Sequence, residues 1–197
     1  MDVAGILLTG GASARMGRTK ATLPIGVTTL AVRTAQLLDA VAEPVVEIGP
    51  GHSGWPAVTD TVAGGGPLVA MATGAAFLAG HGWSGPAIVV ATDLPRLNVA
   101  LLTWLIAHPA EGSVVPLDGH SRPQPLCGRY QPADLSTAEM LVARGRRAMR
   151  DLLDACPSIT YLAAAEWMAA AGDPDALVDV DTPADLVAAG LAQPGRQ

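Results

Sequence analysis

Residues 3–20 read VAGILLTGGASARMGRTK, and they divide at the Gly10–Gly11 pair. Before the pair, Val3–Thr9 is a short uncharged apolar run, the mark of a strand buried on both faces of a sheet. After it comes a glycine-punctuated loop that carries Ser13, Arg15 and Lys20. Glycine adopts backbone angles that other residues avoid, and it lets amide N–H groups approach a ligand with no Cβ in the way. Amides, the Ser13 hydroxyl and the cations Arg15 and Lys20 at the carboxyl end of a strand suit a polyphosphate. The order of residues matches neither GxxxxGKS/T nor GxGxxG, so P-loop ATPases and dinucleotide-binding enzymes fit poorly. A glycine turn with surface charges is the plain alternative; the coincidence of strand, loop and cations favours binding.

Working outward, Val45–Ile48 and Ala87–Ala91 are further apolar runs bounded by Gly or Pro. Between the first two strands, Leu30, Leu37, Leu38 and Val41 fall on one helix face. Gly66–Leu78 and Val99–His108 follow the helical pattern, the second with Asn98 as its cap. Strand alternating with helix predicts an α/β fold, and right-handed crossovers place helices on both faces. The expected architecture is a three-layer α/β/α, Rossmann-like fold around a mostly parallel sheet. In the second half, Gly112–Pro116 and Gln124–Tyr130 read as strands, and Pro132–Ala143 and Arg146–Ala155 as helices broken at Gly145. Leu177–Val180 reads as a last short strand, and Thr182–Ala189 as a final helix with Pro183 in its first turn. No repeat or linker divides the chain. A single domain over 1–197 is expected.

Composition narrows the function classes. Half of the residues are hydrophobic and 15% charged, which is too apolar for a disordered chain. The net charge of −6 argues against broad capture of nucleic acid or an anionic membrane. No window offers the roughly 20 apolar residues that a spanning helix needs. Cys127 and Cys156 are isolated thiols, as expected of a protein of the reducing cytoplasm. The four histidines show no metal-ligand spacing. Most of the 12 Lys and Arg residues fall in the front loop or between Arg122 and Arg150.

LTGGASARMGRTK resembles the LAGGxSxRMGxDK signature of nucleotidyltransferases with the sugar-nucleotide-pyrophosphorylase-like fold, and within them the molybdenum cofactor guanylyltransferases. Thr9 stands where that family usually has Ala, and Thr19 where Asp commonly precedes the Lys. The resemblance implies that Leu8, Thr9, Gly10, Gly11, Ser13 and Lys20 hold a nucleoside triphosphate, with Arg15 and Lys20 acting on the reacting phosphates. Asp60 and the Gly66–Pro67–Leu68 turn carry over as nucleotide contacts, although Gly64–Gly66 also suits a loose turn before a helix.

Asp93 closes the run AIVVAT and opens LPRL. A carboxylate there suits Mg²⁺, which takes one or two such groups plus phosphate oxygens, and it suits a turn equally well. The resemblance implies the metal role, since the family's ligand sits in an Asp-x-Pro-x-Leu turn. In DVDTPADL, residues 179–186, the family often has Asn at the positions of Asp179 and Asp181. Asp181 is thereby a candidate second metal ligand, while Asp-Thr-Pro is also an ordinary helix start.

GHSRPQPLCGRY (119–130) and ARGRRAMRDLL (143–153) resemble the family's acceptor segments, and the resemblance implies a nucleotide-binding half at about 1–97 and an acceptor-binding half at about 98–190. They supply Arg122, Arg144, Arg146, Arg147 and Arg150; a solvated helix face is the bland reading of such a run. The implied reaction is transfer of GMP from GTP to the phosphate of molybdopterin, or of its molybdenum-loaded form, with release of pyrophosphate. Mg²⁺ is the implied cofactor, GTP and molybdopterin are the substrates, and transient contact with cofactor-delivering or acceptor molybdoenzymes is expected. A cytidylyltransferase, or another nucleotidyltransferase with a different phosphorylated acceptor, is the nearer alternative. A noncatalytic nucleotide sensor or chaperone is the farther one.

Overall fold

The computed structural model describes residues 3–10, 19–59, 64–180, 182–188 and 190–191. The first strand, β1 (Ala4–Leu8), is buried along its whole length, as its uncharged sequence requires. A 3₁₀ turn (Lys20–Thr22) and a small hairpin, β2 (Pro24–Ile25) with β3 (Thr28–Thr29), lead into α1 (Leu30–Asp39). Then follow β4 (Val45–Ile48), β5 (Ala57–Val58), α2 (Pro67–Gly80), β6 (Ala87–Ala91) and α3 (Val99–Ala107). The second half contains β7 (Val114–Pro116), β8 (Cys127–Tyr130), α4 (Pro132–Ala143), α5 (Met149–Ala155), β9 (Thr160–Leu162), α6 (Ala164–Ala171) and α7 (Pro183–Ala188).

Seven strands form one sheet in the order β5-β4-β1-β6-β8-β7-β9. All neighbours run parallel except β8, which is antiparallel to both β6 and β7. Side chains alternate across this sheet with a period of two. Leu7, Val45, Ile88, Val90 and Val114 enter one core with α1, α3 and α6. Ile6, Leu8, Val46, Ile48, Val89 and Val115 enter the other with α2, α4 and α5. The expected three layers and mostly parallel sheet are therefore present. No helix among the described residues is long and apolar enough to cross a membrane.

Local expectations fare unevenly. Asn98 caps α3, its Oδ1 accepting from the Leu101 amide at 3.0 Å. Leu177–Val180 is not a strand; it is a turn and an extended stretch whose Val180 N–H donates to the Asp93 carbonyl at 2.9 Å. The helix read from Arg146 starts instead at Met149, because the Asp151 carboxylate reaches back to the Ala148 amide at 3.3 Å and sets the N-terminus there.

Candidate active site

The central strands β1 and β6 pair in register from Ala4–Ala87 to Leu8–Ala91. From β1 the chain crosses to β4 on one side, and it returns to β6 on the other. The crevice beyond the carboxyl ends of β1 and β6 is thus the point where strand order reverses, the usual ligand position in an open α/β sheet.

Lys20 and Asp93 meet there. Lys20 Nζ lies 3.7 Å from Asp93 Oδ2, and the side chains are 23% and 31% exposed. That separation exceeds a hydrogen bond, so the pair is a loose electrostatic couple at a partly wet rim. Each partner is held from behind. Ala21 and Leu23 are buried beside Lys20, and the Leu23 amide closes the turn on the Lys20 carbonyl at 2.9 Å. Leu94 and Leu97, buried after Asp93, close a turn of their own at 3.1 Å. The segment from Ala171 to Val180 braces that turn. Asn98 Nδ2 donates to the Ala171 carbonyl at 3.0 Å, and the Arg96 guanidinium grips Asp173 Oδ2 at 2.9 and 3.0 Å.

Leu8 is buried at the end of β1, and Gly10 is exposed where the chain leaves it. The amides of Thr9 and Gly10 both donate to the Ile48 carbonyl, at 3.1 and 3.3 Å. The Thr9 hydroxyl donates to Glu47 Oε1. Gly66 precedes α2 with φ +84°, and a Cβ built on it would lie 3.4 Å from the Arg147 carbonyl. The turn between α4 and α5 therefore rests against the start of α2, which begins with Pro67. Gly11, Ser13, Arg15, Asp60 and Asp181 lie outside the described residues.

The arginines of the expected acceptor half divide. Arg122 is exposed and tied to Asp118 at 2.8 Å, on the connection that enters β8. Arg146 pairs with Asp151, while Arg144, Arg146, Arg147 and Arg150 are all exposed. A cleft of about 680 Å³ flanks the Asp93 turn and is lined by Ile25, Val27, Arg33, Pro95, Arg96 and Asn98, among others. Its two arginines did not emerge from the sequence: Arg33 stands alone in a helical stretch, and Arg96 fills an unspecified position of the Asp-x-Pro-x-Leu turn.

Sequence reasoning also missed two charges buried inside strands. Glu47 is fully buried on β4 and accepts hydrogen bonds from Thr9, Gly51, His52 and Ser53. Burial alone would raise its carboxyl; those donors outweigh it and hold the group below its usual range. Arg129, on β8, donates to the carbonyls of Ile106, His108, Ala110 and Gly112, at 2.9, 2.9, 2.6 and 3.0 Å. A lone charge inside an apolar strand, as in VVEI and CGRY, is the signal that could have marked both.

Among the described residues no cluster of three or more His, Cys, Asp or Glu could hold a metal alone. A single partly exposed carboxylate beside a lysine nonetheless fits Mg²⁺, which would complete its shell with phosphate oxygens and water.

The sequence profile of the MobA-like NTP transferase domain matches residues 5–160. A protein of Mycolicibacterium paratuberculosis named "probable molybdenum cofactor guanylyltransferase" is 37% identical over 167 residues, 79% of this chain and 82% of the relative. A Mycobacterium tuberculosis protein of the same name is 34% identical over 206 residues, 100% of this chain and 96% of the relative. The crystal structure of molybdopterin-guanine dinucleotide biosynthesis protein A from Archaeoglobus fulgidus superposes with a TM-score of 0.77 at 18% identity, over 95% of this chain and 96% of that one. With that profile spanning most of the sheet and relatives this similar along the chain, the protein belongs to the MobA-like NTP transferase family.

Proposed function

We propose that the protein transfers GMP from GTP to the phosphate of molybdopterin, or of its molybdenum-loaded form, and releases pyrophosphate. The observation that carries the reading is the approach of Lys20 to Asp93 across the carboxyl ends of β1 and β6, 3.7 Å apart. The guanylyltransferase names of the mycobacterial relatives support GTP as donor and the pterin as acceptor.

The chemistry needs little beyond positioning and charge. An acceptor phosphate oxygen attacks the α-phosphorus of GTP, a new P–O bond forms, and the bond to the bridging oxygen breaks, so pyrophosphate leaves with the electron pair. The nucleophile is already ionised at neutral pH, and no general base is required. What remains is to bring two polyanions together in line and offset their charge. Lys20 holds the triphosphate and stabilises the departing pyrophosphate, with Arg15 beside it on the same loop. Gly10 and Gly11 leave room for the phosphates, and Asp60 and the Gly66–Pro67 turn hold the nucleoside. Asp93, with Asp181 as a second candidate, would hold Mg²⁺. When bound, that ion offsets negative charge on the reacting phosphate.

On the acceptor side, the exposed arginines of the α4–α5 turn and the cleft beside Asp93 supply cations and room. The reading includes hand-over of the product to a molybdoenzyme by transient contact. It places the reaction in a reducing cytoplasm, in keeping with two buried free thiols. The test is incubation with Mg²⁺, molybdopterin and each of the four nucleoside triphosphates, following pyrophosphate and the dinucleotide. GTP-dependent formation of both is expected. Turnover with CTP alone, or nucleotide binding without pyrophosphate, overturns the reading.

A further inference from the structure

Glu47 does more than satisfy its own burial. Its five donors come from two places: the Thr9 hydroxyl at the end of β1, and the Gly51, His52 and Ser53 amides with the Ser53 hydroxyl in the turn after β4. Thr9 adjoins Gly10, the last described residue before the phosphate loop. The turn is pressed against the same point. Gly49 has φ +153°, and a Cβ there would fall 2.1 Å from Thr9 Oγ1 and 2.9 Å from the Gly10 amide nitrogen. No side chain fits between the two segments, so their spacing is set by the carboxylate and the glycine together.

We propose that Thr9 and Glu47 form a positioning pair that fixes the start of the phosphate loop against the Gly49–Ser53 turn and thereby sets the affinity for the nucleoside triphosphate. The inference rests on the proposed nucleotide role of that loop. Neither Glu47 oxygen reaches the ligand crevice, since Glu47 is 0% exposed. The pair acts through backbone placement: a charge-assisted hydrogen bond is short, directional and costly to leave unmade in a buried site. Thr9 replaces the Ala that the resembling signature usually carries, and the hydroxyl it adds is the group that Glu47 receives.

The test compares the native protein with Thr9→Ala, which removes the donor, Thr9→Ser, which keeps it, and Glu47→Gln. Two readouts are taken: amide hydrogen exchange of residues 5–10 and 47–53 without ligand, and steady-state pyrophosphate release at varied GTP with Mg²⁺ and molybdopterin. Thr9→Ala is expected to speed exchange in both segments and raise KM for GTP about tenfold, the worth of one such hydrogen bond, with kcat within about twofold. Thr9→Ser is expected to restore both. Native exchange in Thr9→Ala, or a loss confined to kcat, overturns the positioning role. If the native protein turns over no nucleotide, the functional reading fails, and the exchange arm alone decides whether Thr9 and Glu47 couple the two segments. Should Glu47→Gln melt too early to assay, the Thr9 pair of variants decides the question.

Discussion

Lys20 Nζ and Asp93 Oδ2 stand 3.7 Å apart, Lys20 at the start of the 3₁₀ turn that leads into β2 and Asp93 just beyond the end of β6. A partly exposed pair at that separation contributes about 0–1 kcal/mol to folding, so losing it should cost little stability. Asp93→Ala is expected to lower transfer by about a thousandfold or more, and Lys20→Ala by about a hundredfold or more. Both variants should melt within a few degrees of the native protein. Pyrophosphate release and thermal denaturation by circular dichroism check the two halves of the statement.

Glu47 links stability to acid. Its carboxyl is held below the ordinary value of 4.5, so the folded state binds a proton less readily than the unfolded chain. The stabilisation is complete above 4.5 and is lost as pH falls through the lowered folded value. Urea midpoints measured from pH 7 to pH 3 should fall on the acid side, and in Glu47→Gln that part of the fall should shrink. At pH 7 the same substitution should cost about 2–4 kcal/mol, because it leaves buried donors short of an acceptor.

Arg129 spans four carbonyls that no strand or helix satisfies, from Ile106 to Gly112. Arg129→Met should cost about 3–5 kcal/mol by chemical denaturation. Arg129→Lys should recover little of it, since one ammonium lacks the planar fork that reaches all four.

Cys127 is fully buried, which pushes its thiol up to about 12, with a smaller contribution from the nearby Asp93 charge. At pH 8 it should resist iodoacetamide in the native protein and react only once the chain unfolds. Mass spectrometry of the alkylated protein checks this.

Gly74 sits on the face of α2 that meets β1, where a Cβ would lie 2.7 Å from Ile6 Cγ2. Gly74→Ala should therefore lose about 1–3 kcal/mol despite the better helix propensity of alanine, as a shift in urea midpoint would show.

The parts legible in the sequence are those where one local rule suffices. VAGILLT, VVEI and AIVVA announce buried parallel strands because nothing charged interrupts them except Glu47, and Asn98 announces a cap because its side chain can serve no helix interior. The hairpin of β2 and β3 escaped because strands of two residues leave no period to read. Thr160–Leu162 and α6 escaped for a related reason: three residues and eight are each too few for a pattern to rise above composition. Leu177–Val180 was misread because an apolar run is also what packs beneath a turn; Leu177 and Val180 are buried without a ladder. At the candidate site, Lys20 and Asp93, which the fold brings together, were readable through motif and strand context. The network around Glu47 was not, because it joins residues 9, 47 and 51–53 through geometry that no spacing encodes.

The reversed strand β8 carries a consequence of its own. Had it run parallel to β7, joining the two would have required a crossover of about a dozen residues or more through a covering layer. Running against both neighbours, it is reached through residues 117–126 alone, which turn at the same rim where β1 and β6 deliver Lys20 and Asp93. Whatever leans on that rim from the acceptor side therefore meets a loop whose two ends are both stitched into the sheet. Such a wall can bend without losing its footing, because the ladders of the sheet pin both of its ends.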